Sequence, residues 1–174
     1  LRQTSQICDV KFVLDRDVGC CDSSEVLVGL IHKLHLVAGD RSLRAVEVGV
    51  DAGHNAQRLL NAFPEHFELT GVDPNMECYQ AAFRQSNSSS HVGSDAGRCQ
   101  ELPRQVFASA AGRGARLFEM TSRQAARYFL DESLDLVYID ADHDDASVAE
   151  DLKTWEPKVR RGGILAGHDF DSMS

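Results

Sequence analysis

The amino-acid sequence predicts an α/β fold: a doubly wound, mostly parallel sheet with helices on both faces. Three observations carry this. Short apolar runs alternate with helix-period segments five times along the chain, which is the pattern of a parallel sheet with crossover helices. One of these runs, LDLVYI at 134–139, is nearly continuous in apolar character, as a strand buried on both faces should be. The run at 44–49 breaks into glycines and restarts as a helix, with Glu47, Gly49 and Gly53 spaced E-x-G-x-x-x-G. A strand that ends in such a turn forms the crevice in which α/β sheets hold cofactors.

The elements follow in order. Residues 1–22 read as an N-terminal extension of a single domain spanning 1–174, and Val10 to Leu14 fit either a helix turn or an edge segment. Asp22-Ser23-Ser24-Glu25 has the form of a capping box. Val26, Leu27, Leu30, Ile31, Leu34 and Val37 then recur at helical spacing until Gly39. His32 and His35 lie in this helix as packing or surface residues. After the first strand and its turn, a helix runs from His54 to Phe63 and stops at Pro64. The second strand, 67–72, ends at Asp73-Pro74, where proline opens another helix. Ser86 to Gly97 form a polar surface loop, and a helix follows from Arg98 to Ala111. The third strand is 115–120; Thr121-Ser122 caps a helix reaching Leu130. After the fourth strand, 134–139, comes a helix with Val148, Leu152 and Trp155 on one face. Arg160 to Gly163 form a turn, and 163–167 make the fifth strand.

Composition narrows the function. A net charge of -9 speaks against a nucleic-acid partner, because phosphate neutralisation needs clustered Lys and Arg. No apolar run is long enough to span a membrane. The N-terminus has no signal-peptide core, and five cysteines without metal-finger spacing suit reduced thiols, so a cytoplasmic protein is expected. The chain does not begin with methionine, which a fragment or a processed form would explain.

Ligands of such sheets bind beyond the carboxyl ends of the strands. Four of the five predicted ends carry a carboxylate: Glu47, Asp73, Asp140 and Asp169. Two have a histidine close by, His143 and His168. An acidic residue about 20 positions past the glycine turn, as Asp73 is, can accept the hydroxyls of a ribose. The same residue could cap the helix at Pro74. A dinucleotide site would want G-x-G-x-x-G, whereas Val50, Asp51 and Ala52 separate Gly49 from Gly53. Glu47 also suits a cationic ligand better than a pyrophosphate.

The combination of Glu47-x-Gly49-x-x-x-Gly53, Asp73 and the block VYIDADHDDASVAEDLKTWEPKVRRGGILAGHDF resembles the class I S-adenosylmethionine-dependent methyltransferases. The last block is similar to a small-molecule subgroup with an IDxDH…GG…GHD pattern. The resemblance runs from Val26 to Phe170 and implies a Rossmann-like sheet. It implies that Glu47 faces the methionine amino group, that Gly49 and Gly53 give the cofactor room, and that Asp73 holds the ribose. Met120, Thr121 and Ser122 match the segment beside adenine, with Thr121 where the family often has Asp. Asp140 lies where the methyl group meets the acceptor. The family usually continues past its fifth strand into an antiparallel strand pair; this chain stops at Ser174 without one, leaving an open sheet edge through which copies could associate.

Asp140, Asp142, His143, His168 and Asp169 form a second constellation. Asp140, His168 and Asp169 could hold Mg²⁺ or another divalent cation that acidifies a hydroxyl acceptor. His143 or His168 could instead be a general base without metal, or the carboxylates could only cap a helix. The expected activity is methyl transfer from S-adenosylmethionine to a small-molecule acceptor, at a hydroxyl oxygen. The alternatives are a non-catalytic cofactor-binding module and a metal-dependent hydroxylase-like enzyme.

Overall fold

The computed structural model describes residues 11–14, 23–74, 96–142 and 144–168. In chain order the elements are β1 (Lys11–Leu14), α1 (Ser23–Ala38), β2 (Leu43–Val48), α2 (His54–Ala62), β3 (Phe67–Val72), α3 (Ala96–Ser109), β4 (Arg116–Phe118), α4 (Ser122–Ala125), β5 (Leu134–Ile139), α5 (Asp145–Trp155) and β6 (Val159–Gly167). The strands form one sheet in the order β1-β6-β5-β2-β3-β4. Every neighbouring pair is parallel. The chain switches direction of travel across the sheet at β2, beside β5, so the crevice opens there.

Side-chain alternation on the strands builds two apolar layers. Leu43, Ala45, Phe67, Leu69, Leu136, Tyr138, Ile164 and Ala166 pack with Leu27, Ile31 and Leu34 of α1, Ala56, Leu59 and Leu60 of α2, and Phe107 of α3. Val46, Val48, Val72, Leu134, Val137, Ile139 and Leu165 pack on the other face with Ala125, Phe129 and Trp155. A strand with period-2 side chains that is apolar at both parities must be covered on both faces, and the helices do so.

Several expectations change in detail. The strand count is six, because Lys11–Leu14 pairs along β6 from Lys11↔Ile164 to Leu14↔Gly167. Of the two readings open for this segment, the edge strand is the one observed, and β6 is therefore not the open edge of the sheet. Arg160 to Gly163 are not a turn between elements: they lie inside β6, and the register with β5 shifts between Leu134 and Leu136. Gly162, at φ 72°, supplies the left-handed residue such an irregularity uses. The helix after the third predicted strand ends sooner than Leu130; α4 closes at Ala125 and gives way to a 3₁₀ turn over Ala126–Tyr128. The polar loop gives way to α3 at Ala96, and Pro103 is accommodated inside that helix. The helix expected after Pro74 and most of the loop at 86–97 lie outside the described residues, as does Asp22 of the capping box.

Candidate active site

Four of the residues expected to carry chemistry lie at or just beyond the carboxyl ends of β2, β3, β5 and β6, and strand parity puts them on one side. Glu47 follows Ala45, Asp73 follows Leu69, Asp140 follows Tyr138 and His168 follows Ala166, all in the α1–α2–α3 layer. The site is thus a row of polar groups ending an otherwise apolar layer.

Asp73 locks the glycine turn. One of its carboxylate oxygens, Oδ2, accepts the backbone N–H of Val50 at 3.1 Å and of Asp51 at 3.3 Å. These amides follow a strand end and have no ladder partner, so the carboxylate supplies what the backbone lacks. Asp51 sits at φ 46°, a left-handed conformation that Asp tolerates better than most residues. The other oxygen, Oδ1, is buried and has no hydrogen-bond partner.

Glu47 is 2% exposed. Its Oε1 accepts the side-chain amide of Asn55 at 2.8 Å, and its Oε2 is buried without a partner. Burial pushes the carboxyl up to about 8, with Asp140 and Asp73 adding to the rise and the Asn55 amide opposing it. Asn55 belongs to the first turn of α2, whose start is fixed by Gly53 at φ 77°. The missing Cβ atoms of the two glycines admit protein backbone. A Cβ on Gly49, at φ 87°, would lie 2.0 Å from the carbonyl oxygen of Asp140, and one on Gly53 would lie 3.1 Å from Cα of Pro103.

Asp140 and His168 meet at the mouth of the β5–β6 pair. His168 Nδ1 is 3.8 Å from Asp140 Oδ1, and the Tyr138 hydroxyl is 3.5 Å from Asp140 Oδ2. The His168 backbone N–H donates to the Ile139 carbonyl at 3.1 Å, which fixes the histidine beside β5. Both side chains are about one third exposed, so they stay open to an acceptor. His143 and Asp169 lie outside the described residues. Among the described residues no group of three His, Cys, Asp or Glu side chains is disposed to hold a metal ion.

The segment expected beside adenine is bound into the protein. Thr121 caps α4: its hydroxyl accepts the Gln124 N–H at 3.3 Å, and the Gln124 side chain accepts the Thr121 N–H at 3.1 Å. The Ser122 hydroxyl donates to Asp151 and accepts the indole N–H of Trp155 at 2.8 Å. Met120 is half-buried and packs on the second apolar layer. With their hydroxyls engaged, Thr121 and Ser122 can offer a ligand backbone and surface rather than free side-chain donors.

Sequence reasoning passed over Asn55 and Tyr138. The signal for Asn55 was a polar residue in the first turn of a helix starting at the crevice, eight positions after Glu47. For Tyr138 it was a hydroxyl two positions before Asp140, hence on the same face.

The unpartnered Asp73 Oδ1, Glu47 Oε2 and Asn55 Oδ1 are buried acceptors, which in a native protein call for a ligand or solvent. Acceptors of this kind fit ribose hydroxyls and a cationic amino-acid head, the donor set of S-adenosylmethionine.

Comparison with known proteins bears on the family and the fold. A family profile described as a methyltransferase domain matches residues 46–170. No curated protein matches the sequence at a significant level. Among solved structures, a Corynebacterium glutamicum protein is 19% identical with a TM-score of 0.56, over 82% of this chain and 56% of that one. A precorrin-6y C5,15-methyltransferase from Geobacter metallireducens is 12% identical with a TM-score of 0.53, over 88% of this chain and 67% of that one. A Clostridium thermocellum protein assigned as an rRNA methylase is 12% identical with a TM-score of 0.51, over 79% of this chain and 65% of that one. The chain thus spans a little over half the length of the Corynebacterium protein. No helix among the described residues is long and apolar enough to cross a membrane. The profile match covers most of its length, so the chain belongs to the methyltransferase-domain family, and it shares its sheet with these structures.

Proposed function

We propose that this protein binds S-adenosylmethionine in the crevice between β2, β3 and β5 and transfers its methyl group to a hydroxyl oxygen of a small molecule. The observation that carries the reading is Asp73, whose Oδ2 braces the turn through Val50 and Asp51 while its buried Oδ1 has no partner. A carboxylate oriented in this way accepts a ribose hydroxyl without reorganising. Glu47, next to it, takes the positive end of the donor. The backbone and surface of Met120, Thr121 and Ser122 flank the adenine. Gly49 and Gly53 shape the turn that the donor lies against.

S-adenosylmethionine, when bound, supplies a methyl group on a positively charged sulfur that leaves readily. The protein therefore contributes alignment and the handling of one proton. His168 accepts the acceptor's hydroxyl proton, and Asp140 orients the imidazole and stabilises its charged form. Tyr138 in turn supports Asp140. His143, three positions after Asp140 in the sequence, is a second candidate for the base. A divalent cation on Asp140, His168 and Asp169 would be the other way to acidify the hydroxyl, and its requirement is tested by chelation. The net charge of -9 favours a small acceptor over a nucleic acid.

The test is methyl transfer from isotopically labelled S-adenosylmethionine to a panel of phenols, enols and alcohols, with and without a chelator. O-methylated product made in the presence of chelator supports the His168 base. Product only with added cation supports the metal route, and tight donor binding with no product from any acceptor supports a cofactor-binding module.

A further inference from the structure

Glu47 and Asn55 present an unusual pairing. An amide and a carboxyl share one hydrogen bond, Asn55 Nδ2 to Glu47 Oε1 at 2.8 Å, and each keeps a second oxygen buried and unpartnered. A proton on the acid removes the charge that a buried carboxylate with a single neutral partner would otherwise carry. Among the described residues the charged groups that act on it are acidic. From β3 the acid faces Asp73, from β5 it faces Asp140, and from α2 it faces the neutral Asn55. A carboxylate that is 2% exposed with two acidic neighbours is costly to ionise.

Resting on the reading that this crevice binds S-adenosylmethionine, we propose that Glu47 is a neutral acid in the ligand-free protein and releases its proton when the donor's cationic head seats beside it, with Asn55 as the residue that positions the acid. The step is an exchange of cations. The Glu47 O–H bond breaks, its proton leaves to solvent, and the ammonium or sulfonium charge takes its place; no other bond changes. The rise of the Glu47 carboxyl to about 8 has the sign this requires. Donor binding is then linked to pH, and the crevice discriminates against neutral ligands, which cannot replace the proton.

The experiment is calorimetric titration of S-adenosylmethionine into the protein at pH 6.5 in buffers of different ionisation enthalpy. At this pH the ligand's amino group is protonated. The expected result is release of about one proton per ligand bound, with affinity rising about tenfold per pH unit from pH 6 to 7. Glu47→Gln, which has no proton to lose, should release none and lose the slope. Asn55→Leu, which removes the amide that favours the carboxylate, should move the wild-type profile to higher pH. Binding with no proton release in the wild type overturns the proposal while leaving the methyltransferase reading intact. A second arm needs no ligand: denaturation midpoints of the wild type and Glu47→Gln from pH 5 to 9. The wild type should lose stability relative to the variant as pH rises through about 8. Parallel curves overturn the proposal even if S-adenosylmethionine does not bind.

Discussion

A Cβ atom on Gly49 would stand 2.0 Å from the carbonyl oxygen of Asp140, so the end of β2 and the end of β5 touch backbone to backbone. The contact is reinforced on either side, with the Asp140 N–H on the Val48 carbonyl at 2.8 Å and the Gly49 N–H on the Val72 carbonyl at 2.9 Å. The glycine joins three strand ends, and with them Glu47, Asp73 and Asp140. Gly49→Ala should therefore destabilise the protein by more than about 3 kcal/mol, since it combines a left-handed φ with a clash on backbone that cannot swing away. Urea unfolding measures this, and a loss below about 1 kcal/mol would show that the strand ends can separate.

Asp73→Asn keeps an oxygen for the Val50 and Asp51 amides but removes the charge offered to a ribose. S-adenosylmethionine affinity should fall about tenfold to a hundredfold, the worth of charge-assisted hydrogen bonds. The melting temperature should change little. Equal loss of stability and affinity would make Asp73 a turn brace only.

His168→Ala should lower kcat about 10²-fold to 10⁴-fold while the donor's Kd stays within about twofold, as expected for a general base that does not touch the donor. Steady-state kinetics beside direct binding separates the two. Unchanged kcat would move the base to His143 or to a metal.

At the far end of β5, Asp135 is 1% exposed. It accepts both guanidinium nitrogens of Arg41, at 2.6 and 2.9 Å, the Arg44 N–H at 2.8 Å, and Arg160. Burial raises its carboxyl, but these donors outweigh it and hold the group below its ordinary value. A depressed carboxyl stabilises the fold above its unfolded value and loses that contribution as pH falls through the folded one. Asp135→Asn should cost about 3 kcal/mol at pH 7, because Arg160 and Arg41 lose their counter-charge. The gap should start to narrow below about pH 4 and close only as the pH falls through the depressed value of the folded carboxyl. Chemical denaturation at pH 7 and pH 3 checks the sign.

Much of this was legible in the residues. Leu134 to Ile139 announced a buried strand because a helix of that composition would need more length, and the observed bounds are the same. The placement of Glu47, Asp73, Asp140 and His168 followed from strand ends in a parallel sheet. Less legible were elements set by partners distant in sequence. Lys11–Leu14 is a strand only because β6 offers it an edge. Arg160 to Gly163 look like a turn locally, yet pairing with β5 carries them through as a strand with a left-handed glycine. The helix after Thr121 ends early because Phe129 leaves it to pack on Phe118 and Trp155. Asn55 escaped notice since its role depends on the height of α2 above Glu47, which periodicity does not encode.

The crevice closed by Asp73 and Glu47 is the proposed donor site. Calorimetric titration of S-adenosylmethionine into the wild type and Asp73→Asn tests it most directly. One-to-one binding in the wild type, weakened about tenfold or more by the substitution, is expected. No binding to the folded wild type, or equal affinity in both proteins, would contradict it.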